Sequence, residues 1–318
     1  FMSPIADNLT TALVMGAVVL AVGAGNARFI SIGFVNIVVA ANAGGAFSPF
    51  GDITTLMVWQ KGLVDFQQFF VLFVPSAVNY LIPAAIMHFA IKNEKPEAID
   101  EQVDIKWGGT LITVLFLITI ATAVSFHNYL HLPPAMGMMT GLGYLMIASY
   151  FIKRQNPSVE KSKRFDIFRM VSRAEWDTLL FFFGVIVSVG GLGFMGYLAL
   201  VSEAMYVQLG ATYANVLVGI LSAIVDNVPL VAASMGMYDI DPTMGGLFAS
   251  DGLFWEFLAY CAGTGGSALI IGSAAGVAVM GLESISFGWY LKRISILAII
   301  GYFAGAATYI IQESIFHL

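Results

Sequence analysis

Charge is what this sequence has least of: Asp, Glu, Lys and Arg supply 11% of its 318 residues, while hydrophobic residues supply 58%. Soluble domains carry about 25% charged residues, so an ordinary water-facing surface is excluded. The solvent for most of the chain must be lipid. The 14 Lys and Arg residues are gathered into a few loops, and no nucleic-acid partner is expected. The formal charge of -6 averages over those loops and says little about function. Cysteine occurs once, as Cys261, which excludes an intrachain disulfide and a cysteine metal cluster. The opening FMSPIADN lacks a positive region followed by a separate apolar core, so it reads as the middle of something longer and not as a cleavable signal.

What is present is apolar sequence in long runs. A bilayer crossing takes about 20 apolar residues, which leaves room for about eight to ten helical segments in one membrane domain. Ordinary spans are expected near 66–91, 107–125, 134–152, 178–201 and 294–312. The stretches 9–60 and 211–281 differ, because Asn, Asp, Gly and Pro interrupt their apolar runs. These read as re-entrant or unwound segments.

Orientation follows from the basic residues in short loops. Lys153, Arg154, Lys161, Lys163, Arg164, Arg169 and Arg173 make that loop cytoplasmic, and Lys92, Lys95 and Lys106 place a second loop on the same side. His127 and His131 then lie outside, as does an acidic loop with Asp239, Asp241, Asp251 and Glu256. Lys292 and Arg293 fall inside if 211–238 enters and leaves by the outer face. On this count the first hairpin opens inward and the second outward.

Two landmarks recur along the chain. SPIADN at 3–8 returns as SAIVDN at 222–227, and Gly44, Gly45 and Gly51 return 221 residues later as Gly265, Gly266 and Gly272. Similar units in opposite orientation are the inverted-repeat logic of secondary transporters, whose discontinuous helices meet near the bilayer midplane. The expected architecture is an all-α membrane protein, with inverted repeats carrying re-entrant hairpins and broken transmembrane helices. It divides into a first-repeat remainder at 1–91, a cytoplasmic linker at 92–106 and a second, inverted repeat at 107–318.

Each hairpin tip brings a carboxylate and an amide, Asp7 with Asn8 and Asp226 with Asn227, oxygen donors suited to a hard cation. Each broken helix brings a glycine pair, NAGG at 42–45 and GTGG at 263–266, where unwound backbone can turn carbonyls toward an ion. Asn42, Gly44, Gly45, Thr264, Gly265, Gly266 and Ser267 are therefore candidates. Such glycine pairs also serve as close-packing contacts between helices. An Asp near the bilayer centre costs about 2.5–3.5 kcal/mol on insertion scales, so Asp7 and Asp226 are functional candidates by default. Asp52 is a third ion ligand or a cap for the following helix, and its counterpart at the 221 offset is the neutral Ser273. Thr10, Thr54 and Thr55 offer hydroxyls, which in membrane helices commonly bond their own backbone. His88 is an interfacial histidine or a sensor of cytoplasmic pH.

The stretches NAGGAFSPFGDITTLMVWQKG, SAIVDNVPLVAASMGMY and GTGGSALIIGSAAGVAVMG resemble the NhaD-type sodium/proton antiporters of the ion transporter superfamily, along essentially the whole chain. The resemblance implies two re-entrant hairpins and two broken helices around the substrate. It also implies that family members begin with several further spans, so this chain is expected to start at the tip of the first hairpin. Dicarboxylate carriers of that superfamily show Ser-Asn-Thr where this chain has Asp-Asn, and an acid at the tip suits a cation. The expected protein is no enzyme and needs no cofactor. It exchanges sodium for protons at one site that holds them alternately, with Asp7, Asn8, Asp226 and Asn227 as sodium ligands, in a bacterial inner membrane; a homodimer is compatible with this. The nearest rival is a dicarboxylate or arsenite carrier. An intramembrane aspartyl protease is a remote one, since GLGY at 141–144 has Tyr144 where that enzyme needs Asp.

Overall fold

The computed structural model describes residues 1–23, 26–90, 108–155, 166–174, 176–238, 248–282 and 286–316. Regular structure among these residues is helical, with no strand. In chain order the helices are α1 (Ser3–Ala6), α2 (Asn8–Val22), α3 (Ala27–Gly45), α4 (Ile53–Gln60), α5 (Phe73–His88), α6 (Gly109–Leu130), α7 (Pro134–Gln155) and α8 (Ile167–Ser172). There follow α9 (Trp176–Phe194), α10 (Tyr197–Ser202), α11 (Ala211–Leu221), α12 (Asn227–Met237), α13 (Leu253–Gly265), α14 (Ala274–Leu282), α15 (Phe287–Arg293) and α16 (Ser295–Phe316). Basic residues used above to orient the chain, Lys92, Lys95, Lys106, Lys161, Lys163 and Arg164, lie outside the described residues, as do Asp239 and Asp241.

Five stretches are long and apolar enough to cross a membrane: Ala27–Gly45, Gln68–His88, Gly109–Leu130, Pro134–Arg154 and Ser295–Phe316. The span expected at 178–201 is not straight. Leu179–Phe194 and Tyr197–Val207 meet at 84°. The cause is Gly196, whose φ of 82° a side chain rarely adopts, and a π-helical turn at Glu203–Val207 follows.

The chain divides into two compact units, Phe1–Ile99 with Phe182–Leu318, and Asp100–Phe181. The smaller is built on an antiparallel pair. Gly137 lies against Ala123, Gly141 against Thr119 and Gly108 against Ile152, so α6 and α7 approach through small residues along their length. Lys153 and Asp166 form an ion pair at 3.2 Å, and the Asp166 carboxylate also caps α8 through Phe168 N at 3.1 Å.

In the larger unit α16 packs on α5 and α13. Gly301 lies against the Asn79 carbonyl and Pro83, and Gly305 against the Pro75 carbonyl and the Tyr260 hydroxyl. Apolar helices gain nothing from leaving lipid for one another, so such close backbone approach is what holds them together. Each expected hairpin packs on its own broken helix, α2 on α3 and α11 and α12 on α13, and also on the other's. The arm α2 packs on α14, the second half of the second broken helix, and α12 packs on α4, the second half of the first. An apolar cluster including Phe34, Val38, Ile270, Val279 and Tyr290 fills the space among α2, α3, α14 and α15.

Candidate functional site

Both broken helices break in the same way. After Gly45 the chain leaves α3 and returns as α4 at Ile53; after Gly265 it leaves α13 and returns as α14 at Ala274. In each break two glycines six residues apart touch through their backbones. A methyl group on Gly45 would run into the Gly51 carbonyl, and one on Gly266 into the Gly272 carbonyl. These are the glycines that recur at the 221 offset. Their shared demand is for two chain segments closer than any side chain permits.

Each returning helix is capped by the residue just before it. Asp52 Oδ1 accepts from Thr54 N at 2.9 Å, and Ser273 Oγ accepts from Gly276 N at 3.2 Å. Asp52 thus takes the cap role offered for it, and its second oxygen lies at the centre of a buried polar cluster. Oδ2 accepts from Asn8 Nδ2 at 2.6 Å and from Asn227 Nδ2 at 3.4 Å. The second residue of each DN motif therefore reaches one carboxylate. Asn8 Nδ2 also donates to Asn42 Oδ1 at 3.2 Å, and Asn42 Nδ2 donates to Ser267 Oγ and Ser273 Oγ, both at 2.9 Å. Asn8, Asn42, Asp52, Asn227, Ser267 and Ser273 are all buried. One chain of bonds thus joins both hairpins to both breaks.

The other candidates sit around this cluster. Asp226 occupies the cap position of α12, half-buried, near enough to Asp52 for the two carboxylates to interact electrostatically. The Asp7 carboxylate turns back to its own helix, accepting from Thr10 N at 2.7 Å and Thr10 Oγ1 at 2.9 Å, with a φ of 57° at Asp7 itself. Thr10 is exposed. The Thr264 hydroxyl donates to its own backbone at Tyr260 O, 2.7 Å away, and Thr55 does likewise to Asp52 O at 2.8 Å. Thr54 Oγ1 donates to Asp52 Oδ1 at 3.0 Å. Gly44 and Gly265 are packing positions here: the first faces Ser3, and a side chain on the second would meet the Gly219 backbone. His88 is exposed at the end of α5.

Several supports escaped the sequence reading. Tyr290 Oη donates to Ser267 O at 2.7 Å, Ser3 Oγ to Ala41 O at 2.6 Å and Ser48 Oγ to Pro4 O at 2.7 Å, the last two tying the hairpin tip to the first break. Nothing in a lone Ser or Tyr within apolar sequence distinguishes such a strut. Glu256 was expected in an outer acidic loop and is instead buried in the first turn of α13, bonded to Gln68 and Tyr309. The helix it opens is buried on all sides from Phe254 to Gly265, and Glu256 is carried inward with it.

An all-α membrane protein with paired hairpins and interrupted helices around one buried polar cluster is a transport protein by class. The chain belongs to the citrate transporter family CitMHS, whose sequence model matches residues 1–255, and it is similar along its length to NhaD sodium/proton antiporters. It is 50% identical to the Na(+)/H(+) antiporter NhaD of Alkalimonas amylolytica, over 100% of this chain and 68% of that protein. The NhaD of Vibrio parahaemolyticus is 51% identical over 93% of this chain and 75% of its own length. Sodium/proton antiporter 1 of Arabidopsis thaliana is 38% identical over 98% of this chain and 53% of its own.

Proposed function

We infer that this chain exchanges sodium for protons across a membrane, and that the Asp52 cluster is where the two compete. The observation that carries the site assignment is a single buried carboxylate facing amides from both hairpins. Asp52 accepts from neutral donors, and among the described residues no Lys, Arg or His lies within ion-pair distance of it. A buried carboxylate in that setting invites a cation, because the alternative is an uncompensated charge. Sodium is a hard cation that takes oxygen ligands, as calcium and magnesium do. A half-turn of the Asn8 or Asn227 amide exchanges its NH2 for its carbonyl oxygen, so those groups can serve the bare carboxylate or a bound ion. Serine hydroxyls of Ser267 and Ser273 add oxygen ligands from the second break.

A proton on Asp52 removes the charge that attracts sodium, and sodium displaces the proton. The site is loaded with one or the other. Asp226 supports this by adding negative potential near Asp52, and Asp7 with Thr10 by shaping the tip that delivers Asn8. Two discontinuous helices related by the repeat offer the device for exposing the site alternately to each face. The division into repeats at 1–91 and 107–318 and the placement in a bacterial cell membrane belong to the same reading. No cofactor is required by it, only the transported ions.

The family name raises a second reading, a citrate carrier. Asp52 at the cluster centre opposes it, since a tricarboxylate would meet a like charge. Sodium-dependent proton flux by the full-length protein in proteoliposomes decides between them. Sodium pulses are expected to release or take up protons, and citrate to do nothing. Citrate uptake without sodium-proton exchange would overturn the reading.

A further inference from the structure

We propose that Glu256 is a proton-binding site separate from the Asp52 cluster, whose protonated carboxyl fastens α13 to α16 and to the turn at Gln68–Leu72. The side chain is 1% exposed and is shared among three elements. Gln68 Nε2 donates to one of its oxygens at 2.8 Å and Tyr309 Oη to the other at 2.7 Å. Both partners are neutral. Among the described residues the one ion pair is Lys153 with Asp166, so no described cation meets this carboxylate.

The groups that face Glu256 are acids or neutral. From α16 come Tyr309 and, beyond it, Glu313. From the segment leading into α13 comes Asp251, whose carboxylate accepts from Asp65 N at 2.6 Å. The turn at 68–72 brings only the Gln68 amide, and α13 itself carries Tyr260 and Cys261 one turn on. Loss of a proton therefore adds negative charge that no described partner neutralises, and burial makes that state expensive. The donations from Gln68 and Tyr309 favour the ionised form, and burial among acids opposes them. Gln312, one turn along α16 from Tyr309, has Oε1 buried without a donor while its Nε2 reaches Val71 O at 3.0 Å.

The location gives the proton leverage. Glu256 lies in the first turn of α13, and the other end of that helix leads into Ser267 of the polar cluster. Parallel stacking of Phe257 on Tyr309, with centroids 5.1 Å apart, and of Tyr260 on Tyr302 at 6.3 Å adds to the same α13–α16 seam. When the carboxyl is protonated the seam is closed. When it ionises, water has to enter to solvate the charge, and α13 loosens.

Infrared difference spectroscopy and hydrogen exchange on the purified full-length protein, without sodium, test this apart from transport. The wild type is expected to show a protonated-carboxyl band that titrates with pH and does not respond to added sodium. Protection of 253–265 should fall over the same pH range beyond the intrinsic change in exchange rate. Glu256→Gln, the isostere of the protonated form, should lose the band and hold its protection at all pH values, while Asp52→Asn keeps both behaviours. A Glu256→Gln protein that retains the band, or that still loosens with pH, overturns the proposal. Should that variant not fold, Tyr309→Phe keeps the ring stack and removes the hydroxyl; it must shift the band's titration, and an unshifted band also overturns the proposal. Failure of sodium-proton exchange would sink the Asp52 reading and leave this one standing.

Discussion

At the scale of single residues, two aspartates in apparently similar contexts have different surroundings. Asp7 and Asp52 both precede a helix, but the first spends both oxygens on Thr10 and the second divides its own between a cap and a buried cluster. Asp52→Asn keeps an oxygen for Thr54, removes the charge and turns an NH2 toward Asn8 and Asn227, whose amides can meet it by a half-turn. It is expected to abolish sodium-linked proton flux in proteoliposomes with the melting temperature unchanged or raised, since neutralising an uncompensated buried acid relieves a cost. A collapse of protein yield in this variant would mean that the charge is structural. Asn8→Ala removes a hydrogen bond to a carboxylate, worth about 1.5–3 kcal/mol, together with a second bond to Asn42 and the amide oxygen that could meet a bound ion. The sodium concentration for half-maximal exchange should rise about tenfold to a hundredfold, and an unaltered value would place Asn8 outside the site. Asn8, Asn42, Asn227, Asp52 and Ser267 were legible as candidates because polar side chains are expensive in lipid. Their partners were not legible, because a hydrogen bond between residues 225 apart, such as Asn42 with Ser267, leaves no local trace.

At the scale of elements, the breaks were readable and the bend was not. Glycine pairs at a fixed offset announced Gly45 with Gly51 and Gly266 with Gly272, and the contact they make is the same in both halves. Gly196 bends the chain with no counterpart to flag it, and its neighbours Gly190, Gly191 and Gly193 hide it in a run of apparently equivalent glycines. Substitution separates packing glycines from idle ones. Gly45→Ala and Gly266→Ala force backbone apart and should each cost about 1–3 kcal/mol as overpacking. Gly184, with open space around it, should gain about 0.5–1 kcal/mol on replacement by Ala in α9. Thermal unfolding in one detergent reads all three, and equal effects at Gly45 and Gly184 would remove the close-contact account. In the smaller unit, Lys153 beside Asp166 holds that carboxyl below its ordinary value of 3.8. A depressed folded value means that the pair contributes fully above the unfolded aspartate range and is lost as pH falls through the folded value. Hydrogen exchange in α8 should therefore rise below about pH 4 in the wild type, and Asp166→Asn should remove that dependence.

At the scale of the whole molecule, the repeat predicts something that packing alone leaves open: the two hairpins face opposite sides of the membrane. The arm α2 packs on both α3 and α14, and α12 on both α13 and α4, so each hairpin arm touches its own broken helix and the other's. Orientation itself rests on basic residues, many of them outside the described stretches. Single cysteines at Ser158 and Thr243 test it in intact cells, with Cys261 buried and so a poor competitor for the reagent. The loop at 153–173 carries the densest positive charge in the chain and should be retained in the cytoplasm, so Ser158→Cys is expected to stay unlabelled by an impermeant maleimide until the membrane is opened. The segment at 239–247 contains no Lys or Arg, and Thr243→Cys should label at once. Labelling of both positions from one face would require an odd number of crossings to be missing between them. The bent pair at Leu179–Phe194 and Tyr197–Val207 is where such an error would lie, because 84° is steep enough for a segment that turns back without crossing. A same-face result would therefore recast that pair as a re-entrant turn, put both hairpins on one side and remove the inverted repeat, while the bonds that gather Asn8, Asn42, Asn227 and Ser267 around Asp52 would remain and need another way of reaching both faces.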